Sequence, residues 1–240
     1  MDFSFSEKEE ALRGEIRRFV RNELPQGWFQ SMLQEESKDE DWEFAMHIAK
    51  KLSQKGWLCM AWPKEYGGKD ASSWEQLVFS EEVGYWGIPG TSMGISGTAW
   101  VGPSLISFGN EEQRKKYLPL IAAGEPDGVW CTGYSEPNAG SDVANIQTRA
   151  VKEGDEYVIN GQKIWTSAAH RARWNWLLVR TNPDVTRKHH GLSLLIVDIK
   201  SPGVTVNPII NYAGYHLFNE VFYDDVRVPA SNLVGEEIKV

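Results

Sequence analysis

The sequence predicts two blocks of different fold class, a helical block followed by an all-β block. Through residue 124, apolar residues recur at three- and four-residue spacing, which is the period of an amphipathic helix. After residue 127 they come in short β-prone runs separated by turn dipeptides, at roughly the spacing of a β-sandwich. We therefore predict an N-terminal all-α domain over residues 1–126 and a β-sandwich or barrel-like domain over residues 127–240.

Helix-end signals support the first block. Ser6 and Glu9 have capping-box spacing at the start of the first amphipathic run. A second helix is predicted from Asp41, placed as its cap, to Gly56, where a left-handed residue commonly ends a helix. A late helix is predicted within residues 110–124, with an asparagine cap and a terminal glycine.

Turn dipeptides and apolar runs support the second block. Gly154-Asp155 and Asn160-Gly161 are both strong turn signals, so we predict that the chain reverses at both. Later strands are predicted in the apolar runs RWNWLLVRTN, GLSLLIVDI, GVTVNPI and HLFNEVFYDDVRVP. The all-β class depends on these runs rather than on any internal repeat.

Composition limits the classes of function. The net charge is −8 and no long Lys/Arg run is present, which argues against nucleic acid as a partner. Cys59 and Cys131 fit neither a metal site nor a disulfide framework. The N-terminus is acidic and no apolar window is long enough to span a membrane. We expect a cytoplasmic enzyme or binding protein without a metal site.

The stretch YSEPNAGSD, residues 134–142, is unusually rich in residues that shape a loop. Pro137 stiffens it, Asn138 and Gly140 permit positive φ, and the two serines supply hydroxyl groups. Its backbone N–H groups could form an anion-binding nest that holds a phosphate or a carbonyl-bearing ring. A capped surface turn explains the same residues, and both interpretations stay open at this point.

A second candidate stretch is NGQKIWTSAAH, residues 160–170. Trp165 could stack on a flat ring, with the hydroxyls of Thr166 and Ser167 beside it. The tryptophan could equally be a core residue and the hydroxyls could satisfy a strand edge. His170, Arg171 and Arg173 are interpreted as surface or subunit-interface residues, because their spacing matches no metal site.

Taken together, the two stretches resemble segments of the flavin-dependent acyl-CoA dehydrogenases. YSEPNAGSD is similar to that family's T/S-E-P-x-A-G-S-D loop, and INGQKIWTSAA to its N-G-x-K-x-W-[IT]-[TS]-x-[AG] strand. Similar segments occur in the family's order along the whole chain: WPKEYGG, FGNEEQRKKYLPLIAAGE, SPGV and VFYDDVRVPASNLVGEE. Each match is weak singly, but six in the right order are specific.

The resemblance implies FAD as cofactor and assigns site residues. The loop would contact the flavin ring and pyrophosphate, Trp165 would cover the ring, and Ser167 with Thr166 would donate to N5. Ser141 would also lie beside the thioester substrate. The implied cofactor-binding residues are Thr132, Gly133, Tyr134, Ser135, Gly140, Ser141, Trp165, Thr166 and Ser167. Glu136 is expected to be structural.

The implied reaction is α,β-dehydrogenation of an acyl-CoA thioester, as in fatty acid β-oxidation. In the family the catalytic glutamate lies in a C-terminal four-helix domain, which we expect to be missing from these 240 residues, so no catalytic residue is assigned. The chain could be a fragment, a subunit completed by a partner, or a protein without catalysis. An electron-transferring flavoprotein is the expected acceptor, and a homotetramer or hetero-oligomer the expected assembly.

Two alternatives share this scaffold, namely an acyl-CoA oxidase-type flavoenzyme and a non-catalytic subunit that binds FAD or a CoA thioester. The basic loop Arg187–His190 could form a cationic rim for CoA phosphates or could be a solvated loop. The sequence does not decide between the two alternative functions or between the two interpretations of this loop.

Overall fold

The structure is a computed structural model that describes residues 4–28, 38–91, 96–184 and 186–236. Its α-helices are α1 (Glu7–Glu23), α2 (Asp39–Gln54), α3 (Ser73–Trp86), α4 (Gly102–Phe108) and α5 (Glu111–Ala123). Its strands are β1 (Trp130–Gly133), β2 (Arg149–Glu153), β3 (Glu156–Ser167), β4 (Trp174–Arg180), β5 (Leu192–Asp198), β6 (Val204–Ile210), β7 (His216–Pro229) and β8 (Leu233–Val234).

The chain divides into two compact units. The first contains Met1–Ile95 and Ala122–Glu125, and the second contains Ser96–Ile121 and Pro126–Val240. The second unit therefore includes α4 and most of α5 together with the strands β1 to β8. The predicted order of a helical domain followed by a β domain is confirmed.

The first unit is built on the apolar faces of α1, α2 and α3. Ile16, Phe19, Ile48, Leu52 and Trp57 are buried together in its core. The Phe19 and Trp57 rings meet edge to face, with centroids 5.7 Å apart. Such burial removes apolar surface from water and is the main term that holds helices together.

A buried carboxylate ties α1 to α3. Glu82 accepts hydrogen bonds from Arg13 Nη1 at 2.9 Å, Arg17 Nη2 at 2.9 Å and Trp86 Nε1 at 2.8 Å. Burial alone would raise the pKa of Glu82, but the bonds from Arg17, Trp86 and Arg13 outweigh it and the pKa is lowered. The charged carboxylate is therefore the form that this helix pair requires.

The helix-end predictions are largely confirmed. The Glu9 carboxylate accepts from the Ser6 N–H at 2.9 Å, completing the capping box. Gly56 has φ +67° just after α2. The Asp41 prediction is wrong, because α2 begins at Asp39 after Lys38 and Asp41 lies within its first turn. The first turn carries three acids, which favour a helix N-terminus without being its cap.

The second unit contains one connected mixed sheet with strand order β6-β7-β3-β2-β4-β5-β8. β1 joins it by pairing in parallel with β4. The central antiparallel pair, β3 with β7, is long, and its register shifts at two places, between Ile159 and Gly161 and between Lys163 and Thr166. Such bulges bend a strand and re-aim its side chains.

The predicted turn at Asn160-Gly161 is wrong, whereas the one at Gly154-Asp155 is confirmed between β2 and β3. Asn160 and Gly161 lie inside β3 at the first bulge. Gly161 has φ +151°, and a Cβ there would lie 2.6 Å from the Thr148 Cα. Asn160 exchanges two hydrogen bonds with Asp225 of β7, at 2.9 and 3.1 Å. The dipeptide therefore serves a bulge and a close backbone approach.

Large aromatic side chains fill the core of the second unit. Trp130, Trp176 and Tyr117 are fully buried, and the Tyr117 and Trp130 rings meet edge to face at 5.3 Å. Cys59 in the first unit and Cys131 in the second are both buried free thiols. Within the described ranges, the helices are all too short or too polar to cross a membrane.

Candidate functional site

The two motif segments lie side by side in the second unit. β1 leads into the loop 134–142, which lies beside the second half of β3. The Ile164 N–H donates to the Ser135 carbonyl at 2.9 Å, so the backbones of loop and strand are directly joined. The structure thus brings together two segments that the sequence separates by about 20 residues.

A buried ion pair links the same two segments. Lys163 of β3 has no exposed surface, and its Nζ donates to Glu136 Oε1 at 2.8 Å and to the Tyr134 carbonyl at 3.1 Å. Glu136 also accepts from the backbone N–H groups of Gln147 at 2.6 Å and Thr148 at 2.9 Å. The carboxylate of Glu136 and the ammonium of Lys163 therefore connect the loop, β3 and the segment just before β2.

The charges of this pair follow from its surroundings. Burial alone would raise the pKa of Glu136, but the bonds from Lys163, Thr148 and Gln147 outweigh it and the pKa is lowered. Burial lowers the pKa of Lys163, and Glu136 offsets this only in part. Both pKa values are thus lowered. This favours the charged form of Glu136, which has backbone N–H donors besides its counter-ion, and disfavours the charged form of Lys163, which is the more deeply buried. We conclude that the carboxylate is firmly ionised and that its charge retains the proton on Lys163.

The loop beyond Glu136 is closed at its base and open at its tip. Glu136 and Ala139 exchange two backbone hydrogen bonds, at 2.8 and 3.0 Å. Gly140 and Ser141 are exposed, and a Cβ added at Gly140 would meet no atom within 4 Å. A rigid base with free space and a hydroxyl at the tip suits a loop that approaches a ligand with its backbone.

The strand end opposite this loop is kinked. Trp165 has φ +60° and Ala168 has φ +55°, which are unfavourable for residues with a side chain. The Trp165 side chain is 57% exposed and meets the Phe218 ring edge to face at 6.0 Å. An exposed indole on a strained backbone is the kind of feature that functional sites retain.

Strand alternation separates the two hydroxyl residues that the sequence groups together. Ser167 is exposed on the same side as Trp165. Thr166 is buried, and its Oγ1 has no hydrogen-bond partner among the described residues. Successive residues of a strand point to opposite faces, so only Ser167 presents its hydroxyl beside the exposed indole.

The remaining predicted residues lie where β1 enters the loop. Gly133 is packed against β4, since a Cβ there would lie 2.7 Å from Leu177 Cδ1. Thr132 and Ser135 are half-buried. Burial raises the pKa of the Tyr134 phenol, with a hydrogen bond from the Trp176 side chain acting in the opposite direction. Tyr134 is therefore neutral at physiological pH.

Sequence reasoning did not single out Lys163 or Asn219, two buried polar residues that meet this segment. His170, which we expect at the surface or a subunit interface, is half-buried, and its ring is stacked on that of His216. Period two gives no signal for Lys163, because it shares its strand parity with the exposed Trp165 and Ser167 and is buried only through the register shift between Lys163 and Thr166.

The basic loop at 187–190 is tied to the residues just after the motif loop. Arg180 Nη2 donates to the Ala144 carbonyl at 2.5 Å and Arg180 Nη1 to the Lys188 carbonyl at 3.2 Å. Lys188 Nζ also contacts Asn145 Oδ1. These bonds fix the backbone of both segments and leave the two predicted interpretations of this loop open.

Comparison with known families covers nearly the whole chain. The model described as "Acyl-CoA dehydrogenase, N-terminal domain" matches residues 6–125, and that described as "Acyl-CoA dehydrogenase, middle domain" matches residues 131–226. A curated relative, acyl-CoA dehydrogenase FadE26 of Mycobacterium tuberculosis, is 38% identical over 239 residues. That match covers 99% of this chain and 58% of the relative, so the chain spans little more than half of the relative's length.

Two solved structures extend the comparison. The ChsE4–ChsE5 complex from Mycobacterium tuberculosis contains a chain with TM-score 0.85 and 38% identity, covering 99% of this chain and 58% of that one. A glutaryl-CoA dehydrogenase from Mycobacterium smegmatis in complex with FADH2 has TM-score 0.73 and 26% identity, covering 95% of this chain and 55% of that one.

Proposed function

This chain belongs to the acyl-CoA dehydrogenase family, and from that premise we propose that it binds FAD and takes part in α,β-dehydrogenation of an acyl-CoA thioester. The observation that carries the proposal is the direct junction of the loop 134–142 with the kinked end of β3, through the Ile164–Ser135 bond and the Lys163–Glu136 pair. The tip of this loop presents an open glycine and a serine hydroxyl, and the end of β3 presents an exposed indole and a second serine hydroxyl.

The residues of this surface fit a flavin nucleotide. Free space at Gly140 allows close approach of a bulky anionic group, and Ser141 supplies a hydroxyl beside it. Trp165 offers an exposed aromatic face to a flat ring. The upstream residues Thr132, Gly133, Tyr134 and Ser135 would lie along the ring, because β1 is hydrogen-bonded into the sheet and keeps them in line with the loop.

When bound, FAD would accept the hydride that leaves the β-carbon of the substrate. We assign the donor to the flavin N5 to Ser167, because its hydroxyl is exposed on the side of Trp165, whereas the Thr166 hydroxyl is buried. A fixed donor there would stabilise the negative charge that develops as the ring is reduced. The buried Lys163–Glu136 pair would link the strand that carries this donor to the loop whose tip would contact the phosphates.

Removal of the α-proton needs a general base within hydrogen-bond reach of the α-carbon. Glu136 is unsuited to that role, because it is buried and accepts three hydrogen bonds. We propose that the base comes from outside residues 1–240, either from further sequence or from a second chain. The heteromeric ChsE4–ChsE5 structure supports the second source. An electron-transferring flavoprotein is the proposed electron acceptor.

The test is a titration of the purified chain with FAD, alone and with its partner where one co-purifies. We expect saturable quenching of flavin fluorescence and anaerobic bleaching of the bound flavin by one member of a panel of fatty, branched and ring-containing acyl-CoA thioesters. Ser167→Ala should slow bleaching, whereas Ser201→Ala, in the turn before β6, should not. Absence of FAD binding by both the chain and the complex would refute the proposal, and binding without bleaching would indicate a non-catalytic subunit.

A further inference from the structure

A buried amide lies directly beneath the kink of β3. Asn219 of β7 has no exposed surface and stands opposite Thr166 in the register of the two strands. Its Nδ2 lies 3.0 Å from the Thr166 carbonyl and 3.1 Å from His170 Nδ1, and its Oδ1 lies 2.8 Å from His216 Nε2. One side chain therefore joins the kink to two histidines.

The Thr166 carbonyl decides the orientation of this amide. A carbonyl only accepts hydrogen bonds, so the NH₂ group of Asn219 must face it. The second hydrogen of the NH₂ group then points to His170 Nδ1, which must be unprotonated to accept it. The amide oxygen faces His216 Nε2, which must carry a proton to donate. The contacts thus require that His170 turns an unprotonated nitrogen toward Asn219 and that His216 turns a protonated one toward it.

The two histidines that bind the amide of Asn219 also contact each other. Their rings are stacked, with centroids 3.8 Å apart and an interplanar angle of 22°. His170 follows the end of β3 and His216 begins β7, so the stack spans both strands. A backbone bond from the Ala168 N–H to the Leu217 carbonyl, 3.0 Å long, closes the same region.

The backbone above Asn219 needs such support. Trp165 and Ala168 both have positive φ, and the Thr166 carbonyl that Asn219 binds lies between them. A strained conformation persists only where the surrounding contacts determine it. Without the donor from Asn219 the peptide after Thr166 could rotate, and that peptide also carries Ser167.

We propose that Asn219, held by His170 and His216, is a positioning residue that keeps the Trp165–Ala168 kink in the conformation that binds flavin. This inference rests on the proposed function, because it assigns Ser167 and Trp165 to the flavin. Asn219 does not touch the flavin itself and acts through the Thr166 carbonyl. The sequence gives no sign of this role, since Asn219 belongs to neither motif.

The chain offers a closely matched control for this proposal. Gln113 is also a buried amide, and its Nε2 donates to the carbonyls of Ser231 and Leu233, both at 2.8 Å. Asn219→Asp and Gln113→Glu are both isosteric changes of an amide to a carboxyl group. Each removes an NH₂ group that donates two hydrogen bonds to acceptors within the protein. Both variants should lose stability, but only Asn219→Asp removes a bond to the kink.

Two measurements separate the variants, at a temperature at which circular dichroism shows both to be folded. Asn219→Asp should weaken FAD binding by about tenfold or more, the effect of one buried hydrogen bond. Hydrogen exchange of the backbone amides in residues 164–170, measured without FAD, should accelerate by a similar factor. Gln113→Glu should leave both within about twofold of the parent. Should Asn219→Asp fail to fold, His216→Phe retains a stacking ring, removes the donor to Asn219 and should shift both measurements in the same direction.

The outcomes are distinct from those of the proposed function. Parent-like exchange or parent-like FAD affinity in folded Asn219→Asp would overturn the positioning role. Equal losses in Asn219→Asp and Gln113→Glu would also overturn it, because the effect would then be general destabilisation. If the parent binds no FAD, the proposed function fails and the flavin part of this inference fails with it, while the exchange experiment still decides whether Asn219 holds the kink.

Discussion

Replacing Lys163 by methionine should destabilise the second unit by about 3 kcal/mol or more, because removing one partner of a buried ion pair leaves the other charge buried. Lys163 has no exposed surface, and Glu136 is 8% exposed. Losses for such changes are about 3–5 kcal/mol. We expect the lower end, since Glu136 keeps its bonds from the Gln147 and Thr148 N–H groups.

A surface pair provides the comparison. Arg227 lies 3.0 Å from Glu153 and 3.4 Å from Glu156, and its side chain is 53% exposed. Arg227→Met also removes one cation from an ion pair, but exposed pairs contribute only about 0–1 kcal/mol. The double variant Glu136→Gln/Lys163→Met should regain part of the loss of Lys163→Met, because it leaves no buried charge.

The effect of Lys163→Met should depend on pH. The folded-state pKa of Glu136 lies below its ordinary value of 4.5, so its ionisation stabilises the parent above about pH 4.5 and that stability is lost as the pH falls through the lowered pKa. Without Lys163, the ionisation of Glu136 contributes less to stability. The difference in the free energy of unfolding between the parent and Lys163→Met should therefore be largest near neutral pH and should narrow below pH 4.5.

Urea unfolding followed by hydrogen exchange of β3 peptides measures this effect in the second unit alone. Three results would refute the reasoning: a loss in Lys163→Met no larger than in Arg227→Met, a double variant less stable than the single one, or a difference that widens in acid. Each would mean that the loop and β3 are held by their backbone contacts rather than by the ion pair.

Three further predictions follow from the described contacts. Gly140→Ala should change the free energy of unfolding by less than about 0.5 kcal/mol, because a Cβ there meets nothing within 4 Å, yet it should weaken FAD binding measured by fluorescence quenching. Burial raises the pKa of Cys59 to about 12, so iodoacetamide at pH 8 should label this thiol only after urea is added, as mass spectrometry would show. Glu82→Gln should destabilise the helical unit by about 2 kcal/mol in thermal unfolding, since two arginines lose their buried anion, and this loss should shrink below pH 4.5 because the pKa of Glu82 is lowered; an unchanged melting temperature would contradict it.

The helical block was the more predictable part of the fold, because its signals are local. A capping box needs residues three apart, and the one at Ser6–Glu9 forms as its spacing predicts. The asparagine cap predicted for the last helix, Asn110, exchanges two hydrogen bonds with Gln113. The prediction that Asp41 caps the second helix is wrong because several acids in a first turn all favour a helix N-terminus. Spacing alone does not distinguish the cap from its neighbours.

The strands were less predictable, because their pairing is set by residues far away in the chain. Asn160-Gly161 has the composition of a turn, but the Asn160 side chain pairs with Asp225, 65 positions later, and the dipeptide becomes a bulge. No property of residues 155–165 alone indicates this. The second bulge, which carries Trp165, depends in the same way on the register with β7.

The candidate site was predictable as a set of segments rather than as a geometry. The resemblance identifies the loop and the strand, and period two along β3 would have separated Thr166 from Ser167. The burial of Lys163 and the role of Asn219 were not accessible, since each depends on which strand lies beside β3. Motifs record the residues near a ligand, whereas the residues beneath them are found only when the sheet is assembled.

The position of the unfavourable features argues that this region is retained for function rather than for stability. Within residues 163–168 the chain combines a buried ammonium with two positive φ values, one of them at a tryptophan. A buried ion pair is weak evidence for stability. A tryptophan in the left-handed backbone conformation lowers the stability of the fold. A sheet selected for stability alone would carry an apolar residue at 163 and a regular strand at 165. β3 carries neither. We therefore interpret the contacts of Glu136 and Asn219 as those that maintain a strained and exposed surface, which contributes nothing to the packing of the core.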